Sequence, residues 1–208
     1  MRRACNMLNF AVALLCLVLA GAARAEALPV VLEGDIIFQT SRSAQSLAIQ
    51  RATKSRYSHM GVIFRERGEY LVYEAVQPVK KTPLAVWIKR GADGKFALKR
   101  LRERERILTP QTLAKMKKIA VGYLGKAYDL TFEWDDKRLY CSELVWKIYK
   151  YGAELEIGKL QKLGDFDLGD KQVKAKLRER YGAQIPLTET VISPAAMFAS
   201  EALFEPAF

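Results

Sequence analysis

"RLYCSELVWKIYKYG", residues Arg138 to Gly152, places one cysteine directly ahead of a run with helical spacing. Leu144, Val145 and Ile148 make one apolar face, and Gly152 marks the end. Cys141 therefore stands at or just before the first turn of a helix. The free N–H groups and the macrodipole at such a turn favour an anion, and a thiolate is one. The competing reading is a buried structural cysteine, the commoner state of a free thiol. Against it, Tyr140, Ser142 and Glu143 do not form an apolar nest. Position alone leaves both readings open.

The start of the chain changes how that cysteine is counted. Arg2 and Arg3 precede the uncharged run "MLNFAVALLCLVLAG", and Ala23-Arg24-Ala25 is a small-x-small site. This is the layout of a secretory signal peptide over residues 1–25. The run is short of the roughly 20 apolar residues that a membrane span needs. Leu15 before Cys16 argues against a lipoprotein signal. Cleavage would leave residues 26–208, one domain's worth of chain. It would remove Cys5 and Cys16, so that Cys141 is the last cysteine and no internal disulfide can form. A lone thiol in an oxidising compartment is a liability unless it has a task. The expected location is periplasmic or secreted.

The sequence also holds one histidine, His59. One Cys and one His are too few for a Cys/His zinc site but suffice for a thiol nucleophile and its base. No metal or organic cofactor is expected. The net charge of +11 falls to +8 once Arg2, Arg3 and Arg24 are gone. A basic surface suits anionic partners, including peripheral contact with an anionic cell-envelope surface. Nucleic acid is not an expected partner, because no basic run is interleaved with aromatics and export argues against it. A merely solvated basic surface is the simpler reading of the charge.

"LEGDIIFQT" (Leu32 to Thr40), with an apolar run after a turn-like Gly34-Asp35, reads as a strand, and "SRSAQSLAIQRAT" (Ser41 to Thr53) as a helix. "HMGVIF" (His59 to Phe64) and "EYLVYEAV" (Glu69 to Val76) read as the arms of a hairpin joined by "RERG". "KFALKRLR" (Lys95 to Arg102) is a further strand. "TPQTLAKMKKIAVGYLG" (Thr109 to Gly125) has a Thr N-cap, Pro110 at the first helical position and Gly125 as a stop. "DKQVKAKLRERYG" is helical in part, and a short helix is expected near Ala195 to Ala199. If Phe64 pairs with Glu69, His59 lies directly across from Glu74. Opposed residues have Cβ atoms about 5 Å apart on one face, so Glu74 could orient the imidazole and stabilise its protonated form. A one-residue slip would put them on opposite faces.

"EGDIIFQTS", "SRYSHMGVI", "YLVYEAV", "YLGKAYDL" and "YCSELVWKIY" together resemble the circularly permuted branch of the NlpC-type papain-like cysteine hydrolases, the YiiX/YebB-like group. The match runs in order from Gly34 to about Pro194. His59 precedes Cys141, which is the order of the permuted branch. The resemblance implies Cys141 as nucleophile, His59 as base and Glu74 as the orienting residue. It implies that Tyr128 stands beside the site, its hydroxyl helping to hold the oxyanion with the Cys141 N–H. Ala127 stands where the family pattern has proline.

The fold expected is therefore α+β, permuted papain-like. An antiparallel sheet of about five or six strands packs against the helix that carries Cys141 at its N-terminus. The function expected is a secreted amidase or peptidase working through an acyl-enzyme. Its substrate would be a cell-wall peptide or a lipid-derived acyl compound. A lipid acyltransferase or thioesterase with the same residues, marked by an apolar channel beside Cys141, stays open. So does a cell-envelope binding module without turnover. Oligomeric state is not legible.

Overall fold

The computed structural model describes residues 30–207; the expected signal peptide lies outside them. In chain order the elements are β1 (Ile36–Gln39), α1 (Ser46–Thr53), β2 (His59–Glu66), β3 (Glu69–Glu74), β4 (Lys80–Pro83) and α2 (Leu84–Arg90). There follow β5 (Ala97–Leu101), α3 (Arg104–Ile107), α4 (Pro110–Gly122), β6 (Ala127–Tyr128), β7 (Arg138–Leu139) and α5 (Cys141–Ala153). The chain continues through β8 (Gln161–Lys162), α6 (Lys171–Tyr181), β9 (Thr190–Val191), α7 (Pro194–Phe198) and β10 (Leu203–Phe204).

Six strands form one antiparallel sheet in the order β10-β5-β1-β2-β3-β4. Ile36, Phe38, Met60, Val62 and Phe64 on one face pack with Leu144, Val145 and Ile148 of α5. Ile37, Ile63, Val72 and Leu98 on the other face pack with Leu84 and Trp87 of α2. Both faces are covered, which is why β1 and β2 read as nearly continuous apolar runs rather than as alternation. Helix α4 backs α5 through Met116 and Ala120, and Thr109 caps it by accepting from Thr112 N at 3.2 Å. The α+β class and the sheet packed on the Cys141 helix are as the sequence leads one to expect.

The first strand begins at Ile36, after the expected turn, in which Gly34 has φ 86° and Asp35 Oδ2 accepts from Leu32 N at 2.8 Å. Two local features differ from expectation. The first helix begins only at Ser46, since Ser41 is held in a loop by Ser58 Oγ at 2.9 Å. Residues 80–90 carry a strand and a helix that the periodicity does not announce. Pro83 ends the strand and sets the chain extended just before Leu84.

The hairpin register also differs. Glu66 pairs with Glu69 and Val62 with Tyr73. The turn is thus two residues, Arg67 and Gly68, both at positive φ (50° and 89°), the signature of a tight turn whose twist matches that of its strands. The expected Phe64–Glu69 pairing is wrong by two positions. Two is the period of a strand, so His59 and Glu74 keep a common face. Continuing the register places Gly61 opposite Glu74, with His59 one step along the diagonal.

Candidate active site

Cys141 is the first residue of α5, with Tyr140 extended before it (φ −100°, ψ 167°). The helix is buried almost all round at this end: Tyr140, Ser142 and Glu143 are as buried as Leu144. Their polar atoms are matched rather than exposed. Ser142 Oγ donates to Ile192 O at 2.8 Å, and Tyr140 Oη accepts from Ile192 N at 3.1 Å. Glu143 lies 2.8 Å from Lys147 Nζ, yet burial raises its carboxyl to about 8 against that cation's pull. Cys141, the free cysteine among the described residues, is itself buried. It reaches space through a small apolar pocket of about 90 Å³, lined by Cys141, Tyr128, Phe132, Ile192 and Pro194 among others.

His59 opens β2, paired with Gln39 of β1. Its Nε2 lies 2.6 Å from Glu74 Oε2, which leaves Nδ1 for another partner, and Cys141 stands near enough to act on the charge of the ring. Burial by itself would lower the imidazolium pKa. The neighbouring Cys141 and the bonded Glu74 outweigh burial and raise it to about 9.

Glu74 is completely buried at the end of β3. Burial alone would push its carboxyl up, but the His59 hydrogen bond and charge, with the bonds from Arg90 and Thr82, reverse this and hold it at about 2. Four donors meet it: His59, Arg90, Thr82 Oγ1 at 2.6 Å and Trp87 Nε1 at 2.9 Å. The Trp87 ring also stacks on the imidazole, centroids 5.9 Å apart and planes 24° apart. A carboxylate so held is a fixed negative charge. A Cβ on Gly61 would sit 2.7 Å from Tyr73 O and 2.4 Å from Val72 Cγ1, so glycine is needed where the strands close beside the carboxylate.

Tyr128 lies in β6, half-buried between two spaces. One is the apolar pocket at Cys141; the other is a cleft of about 650 Å³ that His59 lines. Burial and the neighbouring Cys141 charge push the phenol up, so it stays neutral. Gln45 Nε2 donates to Tyr128 Oη at 2.7 Å, while Gln45 Oε1 accepts from Arg180. Arg180 thus fixes the Gln45 amide, and Gln45 takes up an acceptor site on the phenol. The Tyr128 proton is left to point elsewhere.

The fold thus brings together all four residues singled out in the sequence: Cys141, His59, Glu74 and Tyr128. Thr82, Trp87 and Arg90, which complete the Glu74 cage, and Gln45 and Arg180, which hold Tyr128, were not foreseen. The sequence carries no signal for Trp87, which lies 13 positions beyond Glu74 with β4 between them; only the packing of α2 on the sheet brings it there.

A family model described as "Permuted papain-like amidase enzyme, YaeF/YiiX, C92 family" matches residues 30–204. "Uncharacterized protein YiiX" of Escherichia coli (strain K12) is 51% identical over 165 residues, 79% of this chain and 80% of that protein. A crystal structure described as that of "metalloprotein yiiX from Escherichia coli O157:H7" superposes with a TM-score of 0.80 at 48% identity, covering 84% of this chain and 96% of that one. Among the described residues here, no group of three or more His, Cys, Asp or Glu side chains is placed to hold a metal ion. The donor set does not fit one, and no step is derived through a metal. With the family model spanning nearly all described residues, the chain belongs to the permuted papain-like amidase family of YaeF and YiiX.

Proposed function

We propose that this protein is a secreted thiol hydrolase that cleaves an amide bond through an acyl-enzyme. Cys141 Sγ attacks the carbonyl carbon as a thiolate, with His59 as the imidazolium beside it. The oxyanion receives the Cys141 N–H at the start of α5 and the Tyr128 hydroxyl. As the C–N bond breaks, His59 gives its proton to the leaving amine. Water then attacks the thioester and His59 takes its proton; the C–S bond breaks, the acid leaves, and the thiolate and imidazolium are restored. Glu74 holds the ring and offsets its positive charge throughout.

The observation that carries this reading is the position of His59, beside Cys141 and bonded to a buried carboxylate with four donors. Cell-wall peptides and lipid-linked acyl compounds are the substrate classes, in the periplasm or outside the cell. The apolar pocket at Cys141 favours a second reading, acyl transfer or thioester hydrolysis on lipids by the same residues.

Incubating wild type and Cys141→Ala with cell-wall fragments and with a lipid extract, followed by mass spectrometry, tests both. New amines and acids from wild type alone support hydrolysis, and the productive extract identifies the class. Identical spectra from the two proteins would leave a binding module without turnover.

A further inference from the structure

The two spaces at the site differ in that charged side chains line only one of them. Cys141 lines the small apolar pocket; His59 lines the larger cleft; Tyr128 borders both. In an acyl transfer the acyl group stays on sulfur, and the leaving group departs past the general acid. If the reaction is as proposed above, the apolar pocket belongs to the acyl side and the cleft to the leaving group.

The cleft carries cations that the protein itself does not neutralise. Arg42 is exposed on its wall and makes no hydrogen bond or ion pair with any described residue. Arg180 is half-buried, stacked on Phe132 at 4.8 Å, and hydrogen-bonded to the neutral Gln45 rather than to a carboxylate. Arg90 also lines the cleft, but it shares its single carboxylate, Glu74, with His59. Lys176 at the rim is matched by Glu179 at 2.6 Å. A solvated basic face would show mobile side chains matched by nearby acids. Here a guanidinium lies over a ring, in a concave site, with no ion pair to any described carboxylate. Such a fork is shaped for two oxygens of a carboxylate or phosphate, and a concave basic site concentrates field on an anion.

We infer that this cleft is a leaving-group subsite for an oxyanion, and that Arg42 and Arg180 hold a carboxylate or phosphate borne by the departing amine or alcohol. The inference rests on the hydrolase reading for its direction but not for its binding chemistry.

The test uses two matched pairs: N-hexanoylglycine against N-hexanoylglycinamide, and N-hexanoyl-O-phosphoethanolamine against N-hexanoylethanolamine. Affinities are measured by calorimetry on the Cys141→Ala protein, so that nothing is consumed. At least one anionic member should bind about tenfold tighter than its neutral twin, the worth of a charge-assisted hydrogen bond. Whichever pair shows it tells carboxylate from phosphate. Arg42→Gln should narrow the ratio, Arg42→Glu should narrow it further, and Arg42→Gln with Arg180→Gln should bring it near one. Added salt should narrow it in the same direction. Twins that bind equally, no binding by any of the four, or a ratio that survives the double substitution would each overturn the inference. The same pairs offered to wild type separate the two claims. A charge-dependent affinity without turnover leaves the subsite standing and removes the hydrolase reading.

Discussion

Glu74 Oε2 lies 2.6 Å from His59 Nε2 across a diagonal of the β2–β3 hairpin, with Gly61 facing Glu74. The contact is reached from the next step of the ladder because no side chain stands between the two. Two single substitutions and their combination test whether the pair acts as a unit. Glu74→Gln and His59→Ala should each slow iodoacetamide labelling of Cys141 at neutral pH by about tenfold or more, the scale of a lost charge-assisted hydrogen bond. The double variant should label no more slowly than His59→Ala, since residues acting as a unit are strongly non-additive. Full additivity would mean that Glu74 works apart from His59.

The raised pKa of His59 makes the fold sensitive to alkali. Its folded value of about 9 lies above the ordinary 6.5. The folded state therefore holds the proton more tightly, and the stabilisation is fully present below 6.5. It fades as the pH rises through 9, by roughly 3 kcal/mol at most for a shift of this size. Thermal melting of wild type should fall between pH 6.5 and 9.5, and that of His59→Gln should fall less. Parallel curves would show that the shift does not reach the global stability.

Glu74 gives the opposite slope. Its folded value of about 2 lies below the ordinary 4.5. The stabilisation is present above 4.5 and is lost as the pH falls towards 2. Urea unfolding of wild type should weaken steadily over that window. In Glu74→Gln the same window should be flatter, with lower stability at pH 7, because Arg90 and Thr82 lose an ionised acceptor.

Tyr128 should matter to the reaction and not to the thiol. With Gln45 donating to its oxygen, the phenol proton is left for the oxyanion of the proposed reaction. Tyr128→Phe should lower kcat/KM by about a hundredfold, the scale for one oxyanion donor. Alkylation of Cys141, which forms no oxyanion, should change little. Gln45→Leu should move kcat/KM in the same direction by less. An equal loss of alkylation rate would assign Tyr128 a structural role instead.

The exported protein should begin at Glu26, following the Ala23-Arg24-Ala25 site. N-terminal sequencing of material recovered outside the cytoplasm checks this. Recovery of Met1 at that terminus would show that the segment is retained.

Local pattern alone was enough to mark the helix that starts at Cys141, the α4 helix with its Thr109 cap and Pro110, the hairpin arms and the chain order of His59 before Cys141. These features depend on neighbours within one or two turns, and side-chain chemistry announces them. The singular Cys and His of the chain that would remain after cleavage needed only counting. Tertiary structure decided what lies around them. The hairpin register turned on whether Arg67 and Gly68 could close a two-residue turn, and the contacts of the whole sheet settled that. Thr82 reaches Glu74 because β4 pairs with β3, and Trp87 and Arg90 reach it because α2 covers the second face of the sheet. Arg180 reaches Gln45 across 135 positions of chain because α6 packs on α1. A polar residue bound to partners so far along the chain leaves no period in the sequence. Its role is set by where the packed elements bring their ends together.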